Sequence, residues 1–173
     1  LTRGDRRQLQ MCRRDRSRII ETTLAAYGIA HQVYGGQRFY ERAEIRDVLA
    51  YLRLFYNPAD DIAFVRAVNT PRRGIGNAAI SALSSIASEK GISLYAAALN
   101  SQSLPTAMYL KFQRFTDVIE NLSLQRNTLG LFEFTKKLLI CIEYDNYLRE
   151  STGDTYEARL ENIEELLASI QEF

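Results

Sequence analysis

The residues with the most chemistry per position are Pro71-Arg72-Arg73-Gly74-Ile75-Gly76-Asn77. Two glycines flanking one apolar residue let a backbone approach a ligand without Cβ obstruction. The amides at and after Gly76 open a helix, where unpaired N–H donors and the helix dipole favour an anion. Ile75 is expected to point inward and anchor the turn, while Arg72 and Arg73 supply salt-sensitive attraction for phosphate. These parts suit a turn between helices that holds a nucleic-acid backbone without reading its bases. A plain tight turn with two solvated arginines has the same sequence, so the segment alone leaves both readings open.

A second group is Arg42, Arg46 and Arg53, on a helix expected from about Glu41 to Tyr56. At about 100° per residue they fall within roughly 40° of one another, in a stripe bordering the apolar face. Either the stripe belongs with the Gly-rich turn to one basic surface, or Glu41, Glu44 and Asp47 hold it in surface ion pairs worth little. Other chemistries lack their residues. There is no G-x-x-x-x-G-K-[ST] phosphate loop, no H-E-x-x-H and no G-x-S-x-G, and one histidine, His31, supplies no metal cage or dyad. Cys12 and Cys141 are too few and too far apart for a zinc finger or a disulfide framework. The segment by itself is therefore expected to hold no catalytic residue, metal or cofactor.

The elements that must position these groups read as helical. Ile45, Val48, Leu49, Leu52, Phe55 and Tyr56 form the expected buried stripe of the 41–56 helix, which Asn57-Pro58 ends. Asp60 or Asp61 caps a helix carrying Ile62, Phe64, Val65 and Val68, stopped at Asn69-Thr70-Pro71. Asn77 is the expected N-cap of a helix through Ala87, Gly91 stops it, and Ser93 starts a short helix to about Leu99. After a polar linker, Asn100 to Pro105, helices are expected near 106–126, 128–149 and 156–171. A short strand is expected over Ile29–Tyr34, stopped by Gly35-Gly36. The fold class is mainly α: an irregular array of seven to nine helices with one short strand near the N-terminus.

The 173 residues include 46% hydrophobic and 25% charged, the balance of a globular domain large enough to bury a core without staples. No run approaches the ~20 apolar residues of a membrane span and no secretory signal is legible, so a cytoplasmic setting is expected. The net charge of +1 hides segregation: residues 1–18 carry seven Arg against two Asp, and residues 151–173 one Arg against six acids. A DNA partner must therefore be argued from local placement and not from total charge.

Tyr34-Gly35-Gly36-Gln37-Arg38-Phe39-Tyr40-Glu41-Arg42-Ala43-Glu44-Ile45-Arg46-Asp47, with Leu49-Ala50-Tyr51-Leu52-Arg53-Leu54 after it, closely resembles the UvrD/PcrA/Rep family of superfamily 1 DNA helicases. Asn69-Thr70-Pro71-Arg72-Arg73-Gly74-Ile75-Gly76 resembles that family's next signature, and Arg159-Leu160-Glu161-Asn162-Ile163-Glu164-Glu165-Leu166 its third. The resemblance implies that residues 36–173 are the accessory domain called 2B and residues 17–35 the end of the motor (2A) segment leading into it; residues 1–16, basic and without helical or strand periodicity, are expected to be mobile on their own pattern. It also implies a helix-hairpin-helix-like turn at Gly74-Ile75-Gly76, touching duplex DNA or a single-strand/double-strand junction through backbone contacts. Carried over by motif, Arg72, Arg73, Gly74, Ile75, Gly76 and Asn77 are the turn contacts, and Arg46 and Arg53 lie near duplex phosphates. The parent protein implied is a bacterial ATP-dependent 3′→5′ DNA helicase of replication or repair using ATP and Mg2+, whose 2B domain swivels against the motor core. Met11-Cys12-Arg13-Arg14-Asp15 stands where the family has an aromatic-Arg-Ser/Thr-Asn stretch, so that single-strand contact is not carried over. The alternative is a helical interaction module docking the motor of its own chain or other repair or transcription proteins.

Overall fold

The computed structural model describes residues 37–126 and 128–172, and they are mainly helical. The strand expected over Ile29–Tyr34, His31 and the basic segment 1–16 lie outside the described residues. The chain divides between Arg42 and Ala43. In the first unit, helix α1 (Gln37–Glu41) ends beside Arg42, whose guanidinium lies over the Phe39 ring at 5.4 Å. The second unit contains α2 (Ala43–Tyr56), α3 (Asp61–Asn69), α4 (Asn77–Lys90), α5 (Leu94–Leu99), α6 (Thr106–Ser123), α7 (Leu131–Cys141), α8 (Tyr144–Thr152) and α9 (Tyr156–Gln171).

Local signals set most of these boundaries. The Asp60 carboxylate accepts from Ala63 N–H at 2.9 Å and caps α3, as Ser93 Oγ caps α5 through Ala96 N–H. Gly91, at φ 64°, closes α4 in the left-handed conformation that glycine adopts without Cβ strain. α2 and α3 pack together, α5 joins α3, α4 and α6, and α9 lies against α2, α7 and α8. Phe64 of α3 is fully buried at the centre, with the rings of Phe115, Phe112 and Tyr95 within 6.5 Å.

Four expectations are corrected. Tyr56 is 91% exposed, because α2 turns Tyr51, Leu54 and Phe55 inward. The helix over 128–149 is two helices: Glu143 takes φ 52°, and the corner swings Tyr144 and Leu148 into the interior. No glycine or proline marks that corner. The N-cap of α4 is Gly76 and Asn77 is its first helical residue. The stretch Asn100 to Pro105 holds a 3-10 turn at Ser101–Ser103 with Ser101 and Leu104 buried.

Three polar ties join distant parts of the core. Asp47 Oδ1 receives Arg66 Nε at 2.7 Å, and Asp47 Oδ2 receives the Tyr144 hydroxyl at 2.8 Å. Glu44 Oε1 receives Asn162 Nδ2 at 2.6 Å, with Arg159 Nη1 3.9 Å from Oε2. Tyr51 Oη lies 2.9 Å from the Ala67 carbonyl and 2.6 Å from that of Thr70. Carboxylates that the pattern of α2 assigns to solvent are buried because each has donors waiting for it.

Candidate nucleic-acid interface

The connection from α3 to α4 starts at Thr70, which caps α3 through its own N–H, and passes through a cis Thr70-Pro71 peptide. Gly74 sits at φ 67°, the left-handed region that an L side chain enters at a cost of about 1–2 kcal/mol. A Cβ there would stand 3.4 Å from Lys111 Nζ, the movable end of a long side chain, so backbone conformation and not space selects glycine. Lys111 Nζ donates to the Gly74 carbonyl at 2.7 Å and fixes the turn to α6. Ile75 is 4% exposed and pins the turn to the core. Gly76 then starts α4 with no side-chain cap, and a Cβ at Gly76 would meet nothing within 4 Å. The Ala79 and Ile80 amides bond to the Gly76 carbonyl, which leaves those of Asn77 and Ala78 as the helix-start donors that an anion could take.

The two turn arginines separate. Arg72 is exposed and pairs with no acid among the described residues. Arg73 folds back: Nη1 donates to the carbonyls of Ala67 and Pro71, both at 3.1 Å. Its guanidinium also lies over the rings of Phe115, at 5.3 Å, and Tyr51, at 6.0 Å. Burial pushes the Tyr51 hydroxyl up to about 12, an effect that the nearby Arg73 charge partly offsets. Arg73 therefore shapes the turn from within, while Arg72, Gly74, Gly76 and Asn77 form its exposed side.

On α2, Arg46 is exposed and unpaired among the described residues, whereas Arg53 donates Nε and Nη2 to Asp60 Oδ2 at 2.9 and 2.6 Å. The Asp60 carboxyl is held below the usual aspartate range, first by the Ala63 N–H and then by Arg53. None of the acids expected to pair with the stripe does so with Arg46 or Arg53: Glu44 and Asp47 face Arg159 and Arg66. Arg53 is still 62% exposed at its side chain, so its outer edge remains open to solvent.

Sequence reasoning missed Lys111 and Arg114 of α6. Both line, with Arg72, a cleft of about 780 Å³ beside the turn. Spacing of three on one helix face was the available signal, but nothing in the sequence brings that face to the Gly-rich turn. Among the described residues no group of three or more His, Cys, Asp or Glu is arranged to hold a metal ion. No helix among them is long and apolar enough to cross a membrane.

The sequence matches the family described as UvrD-like helicase C-terminal domain over residues 10–173. It is similar to ATP-dependent DNA helicase PcrA of Bacillus subtilis, at 37% identity over 159 residues covering 91% of this chain and 22% of the relative. DNA helicase II of Haemophilus influenzae is 38% identical over 160 residues and DNA helicase II of Escherichia coli 32% over 160, again with 91% and 22% covered. The chain spans about a fifth of the length of these relatives. By a match that runs through nearly all of its residues, the chain belongs to the UvrD-like helicase C-terminal domain family.

Proposed function

We propose that residues 36–173 form the 2B accessory domain of a bacterial ATP-dependent 3′→5′ DNA helicase, following residues 17–35 as the end of the motor segment. In this reading the Gly74-Ile75-Gly76 turn is a helix-hairpin-helix-like contact for duplex backbone ahead of the fork. The observation that carries the reading is the exposed side of that turn. A left-handed glycine, the Arg72 guanidinium, unpaired among the described residues, and a helix start without a side-chain cap stand together, anchored by buried Ile75 and half-buried Arg73. Phosphate is the ligand these groups share, since amides and guanidinium both donate and neither reads a base edge. Arg46 and the outer edge of Arg53 extend the cationic surface along α2. The domain swivels as a body against the motor core, and the parent protein supplies ATP and Mg2+ through residues outside this chain.

Titration of a labelled hairpin duplex with a 3′ tail, read by fluorescence anisotropy at two salt concentrations, tests the proposal. Expected is weak, sequence-independent binding of about 10⁻⁴–10⁻⁶ M that falls steeply with salt and is lost in Arg72→Glu. Salt-insensitive binding, or binding that survives Arg72→Glu, sinks the turn as the contact. A second reading, a module that docks the motor or other repair or transcription proteins, draws on an apolar groove among α7, α8 and α9. Leu139, Leu160 and Leu167 line that groove, and Ile140, 74% exposed, stands at its edge. Absence of DNA binding at low salt favours it.

A further inference from the structure

We infer that the cleft between α6 and the α7–α8 corner is a second seat for the nucleic-acid backbone, with Arg114 as its phosphate contact and Lys111 as the residue that joins it to the Gly74 turn. The inference rests on the turn being a duplex contact. The cleft is large, about 780 Å³, and its two walls differ in charge. One wall presents Arg72, Lys111 and Arg114, and the other Glu143 and Glu150. No ion pair crosses between them among the described residues, so the cations are not neutralised from within.

Lys111 and Arg114 stand three residues apart and therefore on one face of α6. The Lys111 bond to the Gly74 carbonyl makes that face continuous with the turn: a strand seated on Arg72 meets Arg114 along the same wall. Arg114 is exposed and has no acid partner among the described residues, so its guanidinium is available for the two-pronged contact that phosphate accepts. The acidic wall completes the selection. A polyanion is repelled by Glu143 and Glu150 and held against α6, which gives the track a direction that a uniformly basic patch lacks.

The test uses the 173-residue chain and a blunt duplex, by anisotropy over a salt series. Arg114→Glu is expected to weaken binding by about tenfold and to flatten the salt slope by at least one phosphate contact, ~0.9 in log–log terms. Glu150→Gln is expected to tighten binding at low salt. Arg72→Glu reads the turn separately. Loss with Arg72→Glu but unchanged binding with Arg114→Glu overturns the cleft and leaves the turn standing. Unchanged binding with Arg72→Glu, or no binding by the unsubstituted chain, overturns both. Circular dichroism checks folding, and Arg114→Gln provides a milder variant in which the salt slope must still fall.

Discussion

Arg72 and Arg73 are adjacent, carry the same charge and have different employment. Arg73 holds two carbonyls and covers two aromatic rings, while Arg72 is exposed and has no ion-pair partner among the described residues. Arg73→Ala strips a donor from two part-buried carbonyls and is expected to cost about 1–3 kcal/mol in urea unfolding. Arg72→Ala is expected to stay within about 0.5 kcal/mol, as substitutions at solvated sites do. If the turn contacts DNA as proposed, Arg72→Ala is expected to weaken binding in a fully folded protein, and Arg73→Ala to weaken it in proportion to its loss of stability. Equal stabilities for the two variants contradict the division of labour. The sequence offered both arginines as equivalent phosphate partners because a dipeptide does not say which side chain has carbonyls within reach.

At the scale of elements, α2 is the beam to which α3, α8 and α9 are tied. Glu44 reaches α9, Asp47 reaches α3 and α8, and Tyr51 reaches the end of α3. The first of the three segments that resemble the helicase signatures thus touches the other two, through Glu44 to Asn162 and Tyr51 to the Thr70 carbonyl, and part of its sequence is spent on polar ties within the fold. Tyr144→Phe keeps the ring and removes the donor from Asp47 Oδ2, a nearly buried oxygen. The expected loss is about 1–3 kcal/mol by chemical denaturation. A neutral result means that water or Arg66 replaces the hydroxyl. Asp60 has two duties that substitution separates. Asp60→Asn keeps an acceptor for Ala63 N–H and removes the charge facing Arg53, so thermal stability holds better than in Asp60→Ala. The same Asp60→Asn change frees Arg53 and is expected to tighten DNA binding at low salt if the α2 surface takes part.

Across the whole molecule, the tyrosines make stability sensitive to alkali. Burial raises Tyr51 from 10.0 to about 12, and also raises Tyr95, hydrogen-bonded to Glu120, and Tyr144, hydrogen-bonded to Asp47. A raised folded value means that above pH 10 the unfolded chain releases a proton that the folded chain keeps. The Tyr51 contribution is fully present below pH 10 and is lost as pH rises from 10 through about 12. Two units correspond to about 3 kcal/mol, an order-of-magnitude figure for one buried hydroxyl. Urea midpoints measured from about pH 9 to about pH 12 should fall in the native chain and fall less in Tyr51→Phe. Parallel curves for the two proteins would show that Tyr51 ionises as freely folded as unfolded.

The helical class, the Asp60 and Ser93 caps, the Gly91 stop and the inward Ile75 were legible in the sequence. Each is decided by a few neighbouring residues: a side-chain acceptor three positions before an amide, a glycine where the backbone turns left-handed, an apolar residue between two glycines. The corner at Ile142–Glu143 was not, because neither residue breaks a helix by itself and the corner is favoured by what Tyr144 and Leu148 bury beyond it. Nor were the buried stations of Glu44 and Asp47, whose partners lie up to 118 residues away. Local pattern determined which segments coil and where the turn falls. Tertiary packing decided which of its charges are consumed inside the fold, and it alone set Lys111 and Arg114 beside Arg72, because proximity between helices distant in sequence is a property of the packed core.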